Sequence, residues 1–169
     1  GYPGHTVADN IGLEIEHGQR AAIVGDNGQG KTTLLRTLVG SLEPLGGDIK
    51  WGHATELGTY AQHVYTSMDQ RRTVLEHLEY ESEADTTRQD CLAMAGALLF
   101  RDSHIHKKIQ VLSGGERARA MIAGLVAGAH NLLVLDEPTN HLDLESAVWL
   151  TEHLKRYPRT LILVSPDRA

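Results

Sequence analysis

A chain of 169 residues in which 41% are hydrophobic and 22% charged has the make-up of a folded globular domain, which excludes a disordered or fibrous protein. Lys plus Arg number 16 against 22 Asp plus Glu, and the resulting formal charge of −6 offers no general attraction to nucleic acid or anionic lipid. The lone cysteine, Cys91, excludes an internal disulfide, and no apolar run or signal-peptide layout points to a membrane or export, so a reducing cytosol is the expected setting.

Short apolar runs alternate with helical patterns along the chain, as in an α/β domain with a largely parallel sheet. Ile11–Ile15 and Ala21–Val24 are the first expected strands, and a helical pattern follows over Lys31–Val39. Gly47–Trp51 and Leu57–Ala61 are expected as further strands, before helices over Val74–Tyr80 and Thr87–Phe100 joined by the polar stretch Glu81–Arg88. A helix over Gly115–Ala129, a strand at Leu132–Leu135, a helix over Leu144–Tyr157 and a strand at Thr160–Val164 complete the order. The runs Leu132–Leu135 and Leu161–Val164 are apolar without alternation, which predicts strands covered on both faces at the sheet centre. One domain over residues 1–169 is expected; it opens without Met and stops soon after its last strand, and so reads as a piece of a longer chain.

Three motifs carry chemistry. Gly25-Asp26-Asn27-Gly28-Gln29-Gly30-Lys31-Thr32 matches G-x-x-x-x-G-K-[ST] between a strand and a helix, the setting of a phosphate-binding loop. Its glycines let backbone N–H groups close on phosphate oxygens, Lys31 is placed to neutralise them, and the Thr32 hydroxyl suits Mg²⁺. Leu132–Leu135 runs into Asp136 and Glu137. Alternation sends these two carboxylates to opposite sides, so Asp136 is the candidate to hold Mg²⁺ through water and Glu137 to polarise an attacking water. Leu112-Ser113-Gly114-Gly115-Glu116 opens a helix as a capping box, with Ser113 as N-cap and Glu116 three residues on. Its bare, glycine-lined N-terminus is also a cradle for an anion, a second phosphate site that implies a partner.

Taken together, Gly25–Thr32, Gln62, Leu112–Glu116 and Leu132–Asp143 resemble the ATP-binding cassette superfamily across nearly the whole chain. Glu137-Pro138-Thr139-Asn140-His141-Leu142-Asp143 is similar to subfamily F, soluble twin-cassette ATPases that act on ribosomes. The resemblance implies a P-loop NTPase fold with a largely parallel central sheet, an antiparallel β subdomain and a short helical subdomain carrying the signature motif, Leu112–Glu116. It implies ATP and Mg²⁺ as ligands and a second cassette, in the same polypeptide or a dimer, as partner, with a ribosome reached through other regions and no direct membrane insertion. Nucleotide contacts are implied at Tyr2, stacked on adenine, at Gly25, Asn27, Gly28, Gly30, Lys31, Thr32 and Thr33, and, toward ATP of a second cassette, at Ser113, Gly114, Gly115 and Asp143. Thr32, Gln62 and Asp136 would hold Mg²⁺, with Glu137 and Gln62 as the catalytic pair. Gln62 and Ser113 stand 51 residues apart, too close for the helical arm usual in the subfamily's first cassette, so the chain resembles the second.

One departure stands out. In the family, the strand after the one that ends in the paired acids closes with Ser-His-Asp-Arg, whereas this chain has Ser165-Pro166-Asp167-Arg168. Proline offers no side-chain donor and no N–H, so the histidine's hydrogen bond to the γ-phosphate has no substitute. ATP binding with weak hydrolysis is the expectation. His104 and His106 lack the neighbouring ligands of a metal site, and Arg117 and Arg119, near Lys107 and Lys108, are expected on a solvated face. Two further readings stay open: the ATP-binding subunit of a membrane transporter, and a nucleotide-dependent interaction module with little or no hydrolysis.

Overall fold

The computed structural model describes residues 1–61 and 68–166, which divide into two compact units. The first is built from residues 1–59, 131–137 and the segment from Pro158 onward; the second from residues 60–130 and 138–157.

The first unit is organised by a sheet with strand order β1-β4-β3-β2, where β1 is Arg20–Gly25, β2 Leu57–Tyr60, β3 Leu132–Asp136 and β4 Thr160–Pro166. β4 runs parallel to both β1 and β3, pairing Val24 with Ser165, Gly25 with Pro166 and Asp136 with Val164. The ends of β1, β3 and β4 therefore lie side by side at one carboxyl edge, where the ligands of open parallel sheets bind. Leu133, Val134 and Val164 are wholly buried, as the unbroken apolar runs predict. α1, Lys31–Leu38, lies against β1, β3 and β4 and buries Leu35 completely. Asn131 fastens the turn before β2: its side chain donates to the Ala54 carbonyl at 2.7 Å and accepts from the Glu56 N–H at 2.8 Å. Ala54 sits there at φ 58, a conformation that a β-carbon disfavours and that these bonds help to hold.

Two of the expected strands are corrected. Ile11–Ile15 and Gly47–Trp51 carry no strand pairing, so the antiparallel part of the expected fold is not built as strands among the described residues. A strand exists only against a partner that takes up its N–H and C=O groups, and alternation in the sequence does not supply one. Here Ile11, Leu13 and Ile15, with Ile49 and Trp51, instead line a groove of about 650 Å³ beside Leu34 and Leu38 of α1. Leu13 stays 58% exposed.

The second unit is helical. α2 (Val74–Glu81), α3 (Arg88–Ala97) and α4 (Gly114–Ala127) pack on one another, and α5 spans Leu144–Arg156. Each of these four begins with a side-chain cap: Thr73, Thr87 and Ser113 form complete capping boxes with Glu76, Asp90 and Glu116, and Asp143 accepts from the Ser146 N–H. α2 meets α4 at Gly124, where a β-carbon would fall 2.6 Å from His77 Nε2 and 3.2 Å from Glu81 Cγ. His77 is 4% exposed, packed away from solvent. Gly124→Ala is therefore expected to destabilise by about 1 kcal/mol, overpacking of about 2 kcal/mol outweighing the roughly 1 kcal/mol that alanine gains over glycine in a helix. Urea unfolding reads this as a lower midpoint at unchanged slope.

Candidate functional site

Between β1 and α1 the chain makes the glycine-rich turn that the motif requires. Gln29 donates to the Asp26 carbonyl at 3.3 Å, and Gly30 ends the loop at φ 84 as the residue before α1. That backbone belongs to glycine: a β-carbon on Gly30 would also stand 2.0 Å from Val7 Cγ1, so Val7 packs directly over the loop, a contact that no motif announces. The Lys31 ammonium folds back into the turn and donates to the Gly25 and Asp26 carbonyls at 2.6 and 2.9 Å, leaving the residue 8% exposed. A positive charge is thus fixed inside the loop.

α1 has no side-chain cap at Gly30, whereas α2, α3, α4 and α5 all have one. The first N–H groups of any helix lack an intrahelical acceptor, and here, at the end of a glycine loop, the sequence supplies no hydroxyl or carboxylate to take them. A bare helix terminus with an ammonium beside it suits an anion of the phosphate type. Thr32 and Thr33 occupy the first turn and are half-buried; Asn27 and Gly28 form the exposed outer part of the loop.

Asp136 ends β3 and is half-buried at the same carboxyl edge of the sheet as Gly25. Its carboxylate and the Thr32 hydroxyl are hard oxygen donors, the type Mg²⁺ takes. Glu137 follows at φ 45, in the left-handed region that a side chain disfavours, and its N–H donates to the Val164 carbonyl at 3.0 Å. Non-glycine residues held in that region cost of the order of 1 kcal/mol or more and cluster at functional positions. Asp136 and Glu137 thus part company in backbone conformation. Residue 166 stands opposite Gly25 in the ladder, at the start of the loop. Gln62, expected both to hold Mg²⁺ and to sense the γ-phosphate, lies outside the described residues. Tyr2 is 40% exposed on a tight turn, its backbone exchanging hydrogen bonds of 2.9 and 2.8 Å with His5.

Within the helical unit, Ser113 N-caps α4: its Oγ accepts from the Glu116 N–H at 3.2 Å and its own N–H donates to Glu116 Oε2 at 2.8 Å. That second bond, ahead of the charges around it, holds the Glu116 carboxyl below the usual range. Gly115 brings the helix close to the loop after β3, 3.6 Å separating its β-carbon position from the His141 carbonyl. Asp143 caps α5, accepting from the Ser146 N–H at 2.9 Å and the Ser146 hydroxyl at 3.2 Å, and these bonds with Arg119 keep its carboxyl low.

The basic neighbourhood beside the signature is not the solvated face that its sequence suggests. Arg119 has a side chain only 17% exposed, bonds Asp143 Oδ2 at 2.8 Å and lies over the Phe100 ring, 5.4 Å from its centroid. Arg117 donates to the Leu112 carbonyl at 3.3 Å. The only sequence hint of the Arg119 pair is the acid that caps α5, 24 residues away. His104 and His106 lie in a 3₁₀ segment, Asp102–His106, and among the described residues no group of three or more His, Cys, Asp or Glu could hold a metal ion.

A family model described as ABC transporter matches residues 8–140. "Probable ATP-binding protein YbiT" of Escherichia coli O157:H7 is 40% identical over 168 residues, 99% of this chain and 32% of that protein. The ABC transporter F family member 2 of Arabidopsis thaliana is 37% identical over 169 residues, again 99% of this chain but 25% of that protein. A solved structure of archaeal ribosomal stalk protein aP1 in complex with the archaeal ribosome recycling factor aABCE1 superposes with a TM-score of 0.69 at 29% identity, over 89% of this chain and 29% of that one. The chain thus spans a third or less of the length of these relatives.

Proposed function

Because the chain belongs to the ABC transporter family, we propose that it is an ATP-binding cassette of the subfamily F type, part of a longer protein that closes two cassettes on ATP and acts at the ribosome. The observation that carries the nucleotide reading is the buried Lys31 ammonium, held 2.6 and 2.9 Å from two loop carbonyls beside the uncapped end of α1. In this reading the loop from Gly25 to Thr33 wraps the triphosphate, Gly28 and Gly30 admitting its oxygens to the backbone and Asn27 lining the outer part. Lys31 opposes its charge, and Tyr2 stacks on the base. Thr32 and Asp136 hold Mg²⁺, joined by Gln62; when bound, the ion neutralises phosphate charge. Glu137 orients the attacking water and takes its proton, helped by Gln62. Ser113, Gly114 and Gly115 offer their helix terminus to ATP on a second cassette, and Asp143, tied to the same helix through Arg119, links the two sites. A family member with an F designation among the relatives and a ribosome recycling factor among the structural neighbours support the ribosomal setting. No helix among the described residues is long and apolar enough to cross a membrane. The expected place of the chain is the cytoplasm, which suits its lone thiol, Cys91.

Titration of the chain with ATP and Mg²⁺ tests the proposal; saturable binding that ADP and ATP compete for is the expected result, and no uptake by folded protein overturns it. A weakly hydrolysing module is favoured by one observation: Pro166, beside Gly25, has no donor to offer. Pro166→His is accordingly expected to raise ATP turnover about tenfold, the worth of one hydrogen bond to a charged group, with little change in affinity. Unchanged turnover would leave the nucleotide-dependent module as the better description.

A further inference from the structure

Glu116 presents a physical conflict. It sits in the first turn of α4, where its carboxylate completes the cap of Ser113, yet the same helix end is the proposed acceptor of a triphosphate. A negative charge a few ångströms from that position repels the ligand at the place where the helix attracts it. The structure supplies a remedy on the other oxygen. Glu116 Oε1 lies 3.5 Å from Lys107 Nζ and 3.3 Å from His104 Nδ1, so Oε2 serves the cap while Oε1 is met by basic side chains. The Glu116 side chain is 15% exposed and those of Lys107 and His104 are 37% and 47% exposed, so water screens these contacts in part.

The anchoring of those two side chains is equally defined. Lys107 follows the 3₁₀ segment Asp102–His106, and its backbone is fixed from both sides. Its carbonyl accepts the Val74 N–H at 3.1 Å, where α2 begins, and its N–H donates to the His104 carbonyl at 3.2 Å. The adjoining Lys108 pairs with Thr73 in a short antiparallel bridge, and Ile105 and Ile109 are buried on either side. The basic pair is therefore mounted on the packed start of α2.

We infer that Lys107 and His104 are positioning residues for the signature turn: Lys107 neutralises the Glu116 carboxylate and His104 lies against the same oxygen, so that Glu116 can cap Ser113 without repelling the phosphate that Ser113 and Gly115 receive. This rests on the reading of Ser113–Gly115 as a contact to the nucleotide of a second cassette.

The test compares Lys107→Glu, Lys107→Arg and His104→Gln in the full chain, with Ser113→Ala as reference. Amide hydrogen exchange reports the turn itself. The Ser113 N–H is expected to exchange about fivefold faster in Lys107→Glu, as the loss of one partly screened ion pair implies, and to return to the original rate in Lys107→Arg, with exchange in the middle of α4 unchanged. Sedimentation in ATP and Mg²⁺ reports the function. The ATP concentration that gives half-maximal pairing of copies is expected to rise about tenfold in Lys107→Glu and about twofold in His104→Gln, while ATP affinity of the unpaired chain stays the same. Restored pairing in Lys107→Arg separates a charge role from simple packing. If Ser113→Ala abolishes pairing but Lys107→Glu leaves both exchange and pairing unaltered, the positioning role is overturned and the signature reading stands. If Ser113→Ala pairs like the original, the signature reading falls and the positioning role with it; where copies of the chain do not pair in ATP, exchange decides, and an unaltered Ser113 rate in Lys107→Glu overturns the positioning role.

Discussion

Lys31→Ala is expected to lower the affinity for ATP with Mg²⁺ by about a hundredfold. Hydrogen bonds to a charged partner contribute about 1.5–3 kcal/mol each, and 1.4 kcal/mol is a factor of ten in affinity, so losing an ammonium that serves two phosphate groups reaches this size. The environment makes the loss hard to repair. Lys31 is 8% exposed with its Nζ enclosed by two carbonyls, so water does not readily replace a fixed charge there. Lys31→Arg is no rescue, because a planar guanidinium is broader than the ammonium that fits between the Gly25 and Asp26 carbonyls. Both variants should fold, since no core residue is altered, although Lys31→Ala also gives up the buried stem of the lysine. Isothermal titration with ATP, set beside a thermal melt, separates this from loop collapse. Gly30→Ala supplies the contrast. Its new methyl group meets Val7 at 2.0 Å on a backbone at φ 84, so it should lose affinity and melt lower together. An unchanged ATP affinity in Lys31→Ala would remove the nucleotide reading at its centre.

The contrast between those two variants also marks what a sequence can and cannot disclose. Lys31 is legible because its role depends on local spacing: four glycine, lysine and threonine positions between a strand and a helix fix both chemistry and geometry. Gly30 is legible as a glycine, but its contact with Val7 joins residues 23 positions apart and depends on how the first segment folds over the loop. The central strands were readable for a similar local reason, since Leu132–Leu135 and Leu161–Val164 are apolar on both faces and settle in the middle of the sheet. Ile11–Ile15 has the alternation of a strand and is not one, because periodicity describes the faces of a segment and not the presence of a partner. The helix ends show the opposite case. Ser113 with Glu116 is a capping box in sequence and in structure, a pattern confined to four residues. Arg119 with Asp143 spans 24 residues and two helices, and charge composition alone assigned that arginine to solvent.

Folding stability is expected to fall by about 3 kcal/mol as pH drops from 6.5 toward 4, through His77. Burial, chiefly, with the nearby positive charge of Arg72 pushes its imidazole from the ordinary 6.5 down to about 4, against a smaller opposing effect of the Ala120 backbone. The sign follows from proton counts. Between those two values the unfolded chain binds a proton at His77 and the native chain does not, so the unfolded state is favoured as pH falls and stability is fully present only above about 6.5. One pKa unit corresponds to 1.36 kcal/mol, which gives the stated size as an upper figure for a side chain 5% exposed. His153, stacked on Trp149 and lowered by burial, adds in the same direction. The carboxylates that cap the helices, such as Glu76, Asp90 and Glu116, are held below their ordinary values and lose their contribution only at more acid pH. His77→Leu isolates the first term. It keeps a side chain of similar volume against Gly124 while removing the titration, so urea unfolding from pH 7.5 to 4.5 should show a much shallower loss of stability than the original chain. Parallel pH profiles for the two proteins would mean that His77 accepts its proton in the native state, and that the contact between α2 and α4 opens to water more readily than its packing indicates.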